Sequence, residues 1–172
     1  YLHEARRQNP DAYIVLVGCY VQTQKDNSVF KDADLLIGSK DKDKIKSYID
    51  AHLKKSMVSS LDDARFENLA LHRYKGQTRA FLKVEDGCNQ YCSYCIIPFA
   101  RGRERSAKMS EVLALADDLL KESKEIVLTG IHTGRYFDGK HHLIDLLKEL
   151  LKKEELVNLY FNKKEKNIFR KN

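Results

Sequence analysis

The chain has 172 residues, 42% hydrophobic and 33% charged, with a formal net charge of +6 and no tryptophan. That composition is globular and sized for one mid-sized domain or two small ones. It excludes a membrane-spanning helix, since no run approaches the roughly 18 apolar residues one needs, and a secreted disulfide framework, since three of its four cysteines crowd into one loop.

Taken in chain order, residues 3–8 predict a helix, broken by Asn9-Pro10-Asp11. Residues 13–17 (YIVLV) are a β-branched run suited to a strand covered on both faces, and they end in Gly18-Cys19. Residues 35–37 predict a second strand, after which Ser39 can cap a helix with an Ile45, Ile49, Leu53 stripe. Residues 58–78 lack periodicity and read as a linker. A second strand–helix alternation follows: a strand over 79–84, a helix over 109–122, a strand over 125–128, a loop through Gly139, a helix over 143–151 and a strand over 157–161. The lysine- and asparagine-rich residues 162–172 read as a disordered tail. Alternation of this kind predicts an α/β fold with parallel strands, in which chemistry belongs at the carboxyl ends of the strands. The loop after residue 84 and the loop from 129 to 139 both lie at such ends.

The first of these loops reads GCNQYCSYC and carries Cys88, Cys92 and Cys95. As zinc ligands they are one short of the usual four, although His132 could complete the set. As buried core thiols they would have to cluster by coincidence among glycine and polar residues. As ligands of a 4Fe-4S cube they hold three irons and leave one open to a non-protein ligand. Arg101, Arg103 and Arg105 lie just beyond and, with the lysines of the tail, carry part of the excess positive charge. Arginine's planar fork suits carboxylates and phosphates, and a basic surface attracts polyanions such as nucleic acid; a solvated charged loop explains the same residues.

The C-x3-C-x2-C spacing after a strand resembles the motif of the radical S-adenosylmethionine superfamily. The stretches FLKVEDGCNQYCSYCIIPFARGRERS and EIVLTGIHTGRY are similar to its methylthiotransferase branch, most of all to enzymes acting on N6-threonylcarbamoyladenosine in tRNA. The resemblance runs from about Tyr1 to Leu151.

The fold it implies is α/β: the C-terminal part of a Rossmann-like methylthiotransferase domain (1–57), then the first part of a radical S-adenosylmethionine, TIM-type barrel (79–161). It implies that Cys88, Cys92 and Cys95 bind a 4Fe-4S cluster whose open iron takes S-adenosylmethionine, cleaved to a 5′-deoxyadenosyl radical. Cys19, in VGCYVQ, matches the third ligand of an auxiliary 4Fe-4S cluster; its other two ligands should lie upstream, and the chain is expected to be a piece of a longer enzyme. Tyr94 matches an aromatic near the adenine, though loop packing also explains it, and Gly130 matches a segment touching the methionyl group. Arg101, Arg103, Arg105 and His132 are candidates for substrate contact, while His141 and His142 read as surface residues.

The implied reaction is methylthiolation of C2 of the adenosine next to the anticodon. Implied partners are tRNA and an electron donor such as flavodoxin or ferredoxin, with no membrane and no DNA, in the cytoplasm. Alternatives are a methylthiotransferase for isopentenyladenosine in tRNA or a ribosomal-protein aspartate, and a non-enzymatic, zinc-stabilised RNA-binding module.

Overall fold

A computed structural model describes residues 1–24, 27–40, 42–67, 78–160 and 168–170. The chain divides into two compact units, Tyr1–Glu67 with Asn89–Arg103, and Asn68–Cys88 with Glu104–Asn172. Both are mixed α/β structures built on a parallel sheet.

In the first unit, α1 (Leu2–Gln8) leads to β1 (Val15–Val17), α2 (Cys19–Thr23), β2 (Leu35–Ile37), α3 (Ile45–Asp50) and β3 (Lys55–Met57). The three strands are parallel in the order β1-β2-β3. Leu35 and Ile37 on the central strand are wholly buried (0% exposed). Val21, Phe30 and Leu36 form a core cluster, with Leu16, Ala33 and Val58 packed against it.

Two sequence expectations change here. Of the apolar run at 13–17 only Val15–Val17 forms a strand, which among the described residues pairs with β2 alone; Val17 is 43% exposed, and β2 is the covered strand. Ser39 does not cap the next helix: a 3-10 turn at Lys42–Lys44 intervenes, and α3 buries none of its residues fully, with Ile49 exposed and Ile45 and Leu53 half-buried. Ser39 turns instead to Gln22 and Cys19, its N–H donating to Gln22 Oε1 (2.9 Å) and its hydroxyl to Cys19 Sγ (3.7 Å).

In the second unit β4 (Arg79–Lys83) pairs in parallel with β7 (Glu125–Thr129), which pairs in parallel with β8 (Asn158–Tyr160). Between them run β5 (Glu85–Asp86), β6 (Arg105–Ser106) and α5 (Met109–Leu120); α6 (Leu143–Leu151) precedes β8. The core gathers the period-3.6 stripe of α5 (Val112, Ala116, Leu120), which packs on β4 and β7, the buried Leu146, Leu147 and Leu150 of α6, which packs on α5, and the buried strand residues Leu82, Ile126, Leu128 and Leu159. An antiparallel strand, β9 (Ile168–Arg170), pairs with β8 inside the segment expected to be a disordered tail. The rest of that segment, and residues 68–77 of the expected linker, lie outside the described residues. The β5–β6 pair is two residues long, too short for an alternation pattern to announce it.

Candidate functional site

β4 delivers the chain to the base of the cysteine loop, where β5 and β6 pair antiparallel, Glu85 with Ser106 and Asp86 with Arg105. Buried Asp86 secures this base: it accepts from Lys83 Nζ (2.7 Å), Arg105 Nη2 (3.4 Å) and the Gly87 N–H (2.9 Å). Arg105, a candidate for substrate contact, is thereby engaged in a part-buried ion pair within its own unit.

Cys88 closes that segment and is buried (8% exposed). Cys92 and Cys95 belong to the segment grouped with the first unit; Cys92 is exposed and Cys95 half-buried, and the Cys95 N–H donates to the Cys92 carbonyl (2.9 Å) in a tight turn. Tyr91, in the left-handed region (φ 46°), stacks edge-on to Phe99, and Tyr94 is 90% exposed. α4 (Ile97–Arg101) follows, with Pro98 in its first turn, where a missing N–H is harmless.

α4 packs against α2, which Cys19 begins. Gly18, at φ 118°, makes the turn from β1 that sets Cys19 at the helix start. Burial alone would push the Cys19 thiol up, but hydrogen bonds from Ser39 and Arg101, and the charges of Arg101 and Lys42, bring it below its ordinary value. Arg101, one of the candidates for substrate contact, lies beside Cys19. Of the three arginines Arg103 is the exposed one, beside a surface hollow lined by Gln22, Leu61, Tyr91, Pro98 and Phe99.

In the second unit, the loop after β7 begins at Gly130 and turns through Thr133–Arg135. Glu85 reaches this turn and accepts the His132 N–H at Oε2 (2.8 Å). Its side chain is buried, and its other oxygen, Oε1, has no hydrogen-bond partner. Burial pushes the Glu85 carboxyl up, and the Asp86 charge adds to this, against the N–H groups of His132 and Ile131. A Cβ on Gly130 would stand 2.8 Å from Glu85 Oε2, so the glycine has a packing reason to lack a side chain. The His132 ring is exposed while its backbone is the anchored part. Arg135 is held by both oxygens of Glu104 (2.7 and 2.9 Å) and lies in the field of Cys88. His141 is not a free surface residue: its Nδ1 lies 3.1 Å from Asp138 Oδ2.

Glu85 and Asp86 are the two site residues that sequence reasoning missed. Two adjacent acids just before a glycine–cysteine pair were the available signal.

Among the described residues no three His, Cys, Asp or Glu side chains are already gathered as a metal-ligand set. The donor chemistry nevertheless fits an iron–sulfur cluster: none of the four cysteines is in a disulfide, and iron–sulfur clusters take soft thiolates. Binding sites of this kind are commonly completed by the metal itself, so gathered thiols are not required beforehand. Among the described residues, no helix is long and apolar enough to cross a membrane.

Comparison with known proteins bears on this loop directly. Residues 82–169, from β4 through β9, match the model of the radical SAM superfamily. The chain is 40% identical over 158 residues to a threonylcarbamoyladenosine tRNA methylthiotransferase of Bacillus subtilis, covering 87% of this chain and 35% of the relative. It is 34% identical over 168 residues to the enzyme of that name from Aquifex aeolicus, covering 92% of this chain and 41% of the relative. A tRNA-2-methylthio-N(6)-dimethylallyladenosine synthase of Clostridium perfringens is 29% identical over 167 residues, 92% of this chain and 37% of the relative. The chain thus spans between a third and about two fifths of the length of these relatives. With the three-cysteine loop at the carboxyl end of the leading strand of the matched region, the chain belongs to the radical SAM superfamily.

Proposed function

We propose that the chain is part of a radical methylthiotransferase that places a methylthio group on C2 of N6-threonylcarbamoyladenosine in tRNA. The observation that carries this reading is the C-x3-C-x2-C loop at the end of β4, in a chain 40% identical to a relative bearing that activity in its name. Relatives named for the N(6)-dimethylallyl nucleoside are 29% identical, which favours the threonylcarbamoyl substrate. In this reading the second unit is the opening of a barrel, and the first is the latter part of a Rossmann-like domain.

Cys88, Cys92 and Cys95 would hold a 4Fe-4S cluster, and Cys19 would supply one ligand to a second. Bound at the loop, the cluster would provide the electron that cleaves S-adenosylmethionine reductively. The chain's own residues prepare that site in three ways. Asp86, Lys83 and Arg105 fix the base of the loop, so the thiols hang from a rigid stem. Tyr94, 90% exposed, would stack on an adenine ring, and Gly130 would let the methionyl group approach the backbone. Arg103 offers an exposed cation to the RNA backbone, whereas Arg101 serves Cys19 and Arg105 serves the stem. His132 faces outward to the nucleoside, and flavodoxin or ferredoxin delivers the electron.

Anaerobic reconstitution with iron and sulfide tests the reading. A brown protein that releases 5′-deoxyadenosine under reduction is expected, and alanine at Cys88, Cys92 and Cys95 should abolish both colour and product. A colourless protein that retains zinc would overturn it in favour of a metal-stabilised RNA-binding module.

A further inference from the structure

Glu85 is an acidic side chain in an unusual place. Only 1% of it is exposed, it sits on the short strand between β4 and the cysteine loop, and it reaches across to the loop after β7. Oε2 accepts the His132 N–H at 2.8 Å, while Oε1 is buried with no hydrogen-bond partner. An apolar residue would fill the space without exposing an unmet polar atom to the interior, so the carboxyl is retained for what Oε2 does. Gly130 is its counterpart: a Cβ there would lie 2.8 Å from Oε2 and 3.1 Å from the Glu85 Cβ.

We propose that Glu85 is a positioning residue that ties the Gly130–His132 turn to the strand entering the cysteine loop. Gly130 is kept free of a side chain to admit it. The tie joins the two strand-end segments that carry this unit's share of the site, so that the turn holds one conformation before any ligand arrives. Preorganisation of this kind saves a ligand the cost of ordering the turn. The proposal rests on the reading above in taking that ligand to be S-adenosylmethionine. Glutamine keeps a side-chain oxygen able to accept the His132 N–H, so it is the conservative replacement.

Three variants, Glu85→Ala, Glu85→Gln and Gly130→Ala, test this by two measurements on the chain. The first is amide hydrogen exchange at Ile131 and His132. Loss of a buried backbone hydrogen bond should accelerate it about tenfold in Glu85→Ala and Gly130→Ala, and Glu85→Gln should stay within about threefold of the parent. The second is the affinity for S-adenosylmethionine of the iron-reconstituted protein, with iron content as the control. It should weaken in the same order while iron content stays constant, and Glu85→Gln should restore it. Should Glu85→Ala fail to fold, Gly130→Ala and Glu85→Gln carry both measurements alone.

Equal exchange in all four proteins overturns the tie. Faster exchange with unchanged affinity overturns the positioning role and leaves a purely structural contact. A parent protein that builds its cluster yet binds no S-adenosylmethionine overturns the functional reading, and the positioning role with it.

Discussion

Asp34 stands at the entry to the central strand of the first unit, and three groups converge on it. The Ile14 N–H and Arg6 Nη2 donate to Oδ2 at 2.9 and 2.6 Å, and Lys54 Nζ lies 3.4 Å from Oδ1. Arg6 also donates to the carbonyls of Asp32, Pro10 and Ala12, so this one pair fastens α1 to the sheet. The Ile14 N–H, and then Arg6, bring the Asp34 carboxyl from 3.8 down to about 2. The sign follows from linkage: a carboxyl depressed by folding binds protons more readily in the unfolded chain, so its contribution is whole above about 4 and is lost as pH falls toward 2. Urea unfolding should therefore show stability declining over that window in the parent protein, and a shallower decline in Asp34→Asn. Equal slopes would show that the Arg6–Asp34 pair contributes nothing. Little of this was legible in advance: Arg6 and Asp34 are 28 residues apart, and only tertiary structure brings them together.

Among the elements, neighbours mattered more than composition. Val15–Val17 and Leu35–Ile37 are both short and apolar, yet the first lies at the sheet edge and the second between two partners. Hydrophobic runs report that a strand wants cover; the order of strands decides which one receives it. Two substitutions make the difference measurable. Ile37→Ala removes side-chain atoms from a site with no exposure and should cost about 2–5 kcal/mol, the range for truncating a buried aliphatic residue. Val17→Ala, at 43% exposure, should cost under about 1 kcal/mol. Chemical denaturation distinguishes them, and equal costs would mean that β2 is not the buried centre. The long amphipathic helices α5 and α6 were readable because their apolar residues repeat with the helical period. The pair β5–β6 and the helices α2 and α4, of two to five residues, were not, since so few residues hold no period. These short elements nevertheless carry Cys19, Arg101, Glu85 and Asp86. The three thiols were legible because their spacing is local, whereas what holds their loop is distant in sequence.

At the scale of the whole chain, the cysteine count bounds what chemistry it can sustain. The chain holds four cysteines, three of them in one loop and the fourth, Cys19, beginning α2. Each 4Fe-4S cluster in this reading is tethered by at least three thiolates, so the loop accounts for one cluster and Cys19 alone cannot tether a second. Reconstituted protein should therefore bind roughly four iron atoms per chain. In the proposed reading that cluster serves the reductive cleavage of S-adenosylmethionine, and sulfur delivery would need a second. The chain as it stands should thus release 5′-deoxyadenosine and add no methylthio group to tRNA. In the proposed reading the thiol beside Ser39 and Arg101 is no ligand of the loop's cluster, so Cys19→Ala should leave iron content and cleavage unchanged. Iron analysis and nucleoside chromatography read these outcomes directly. If iron content falls with Cys19, the assignment of that residue to a separate cluster is wrong, and its thiol serves the loop instead.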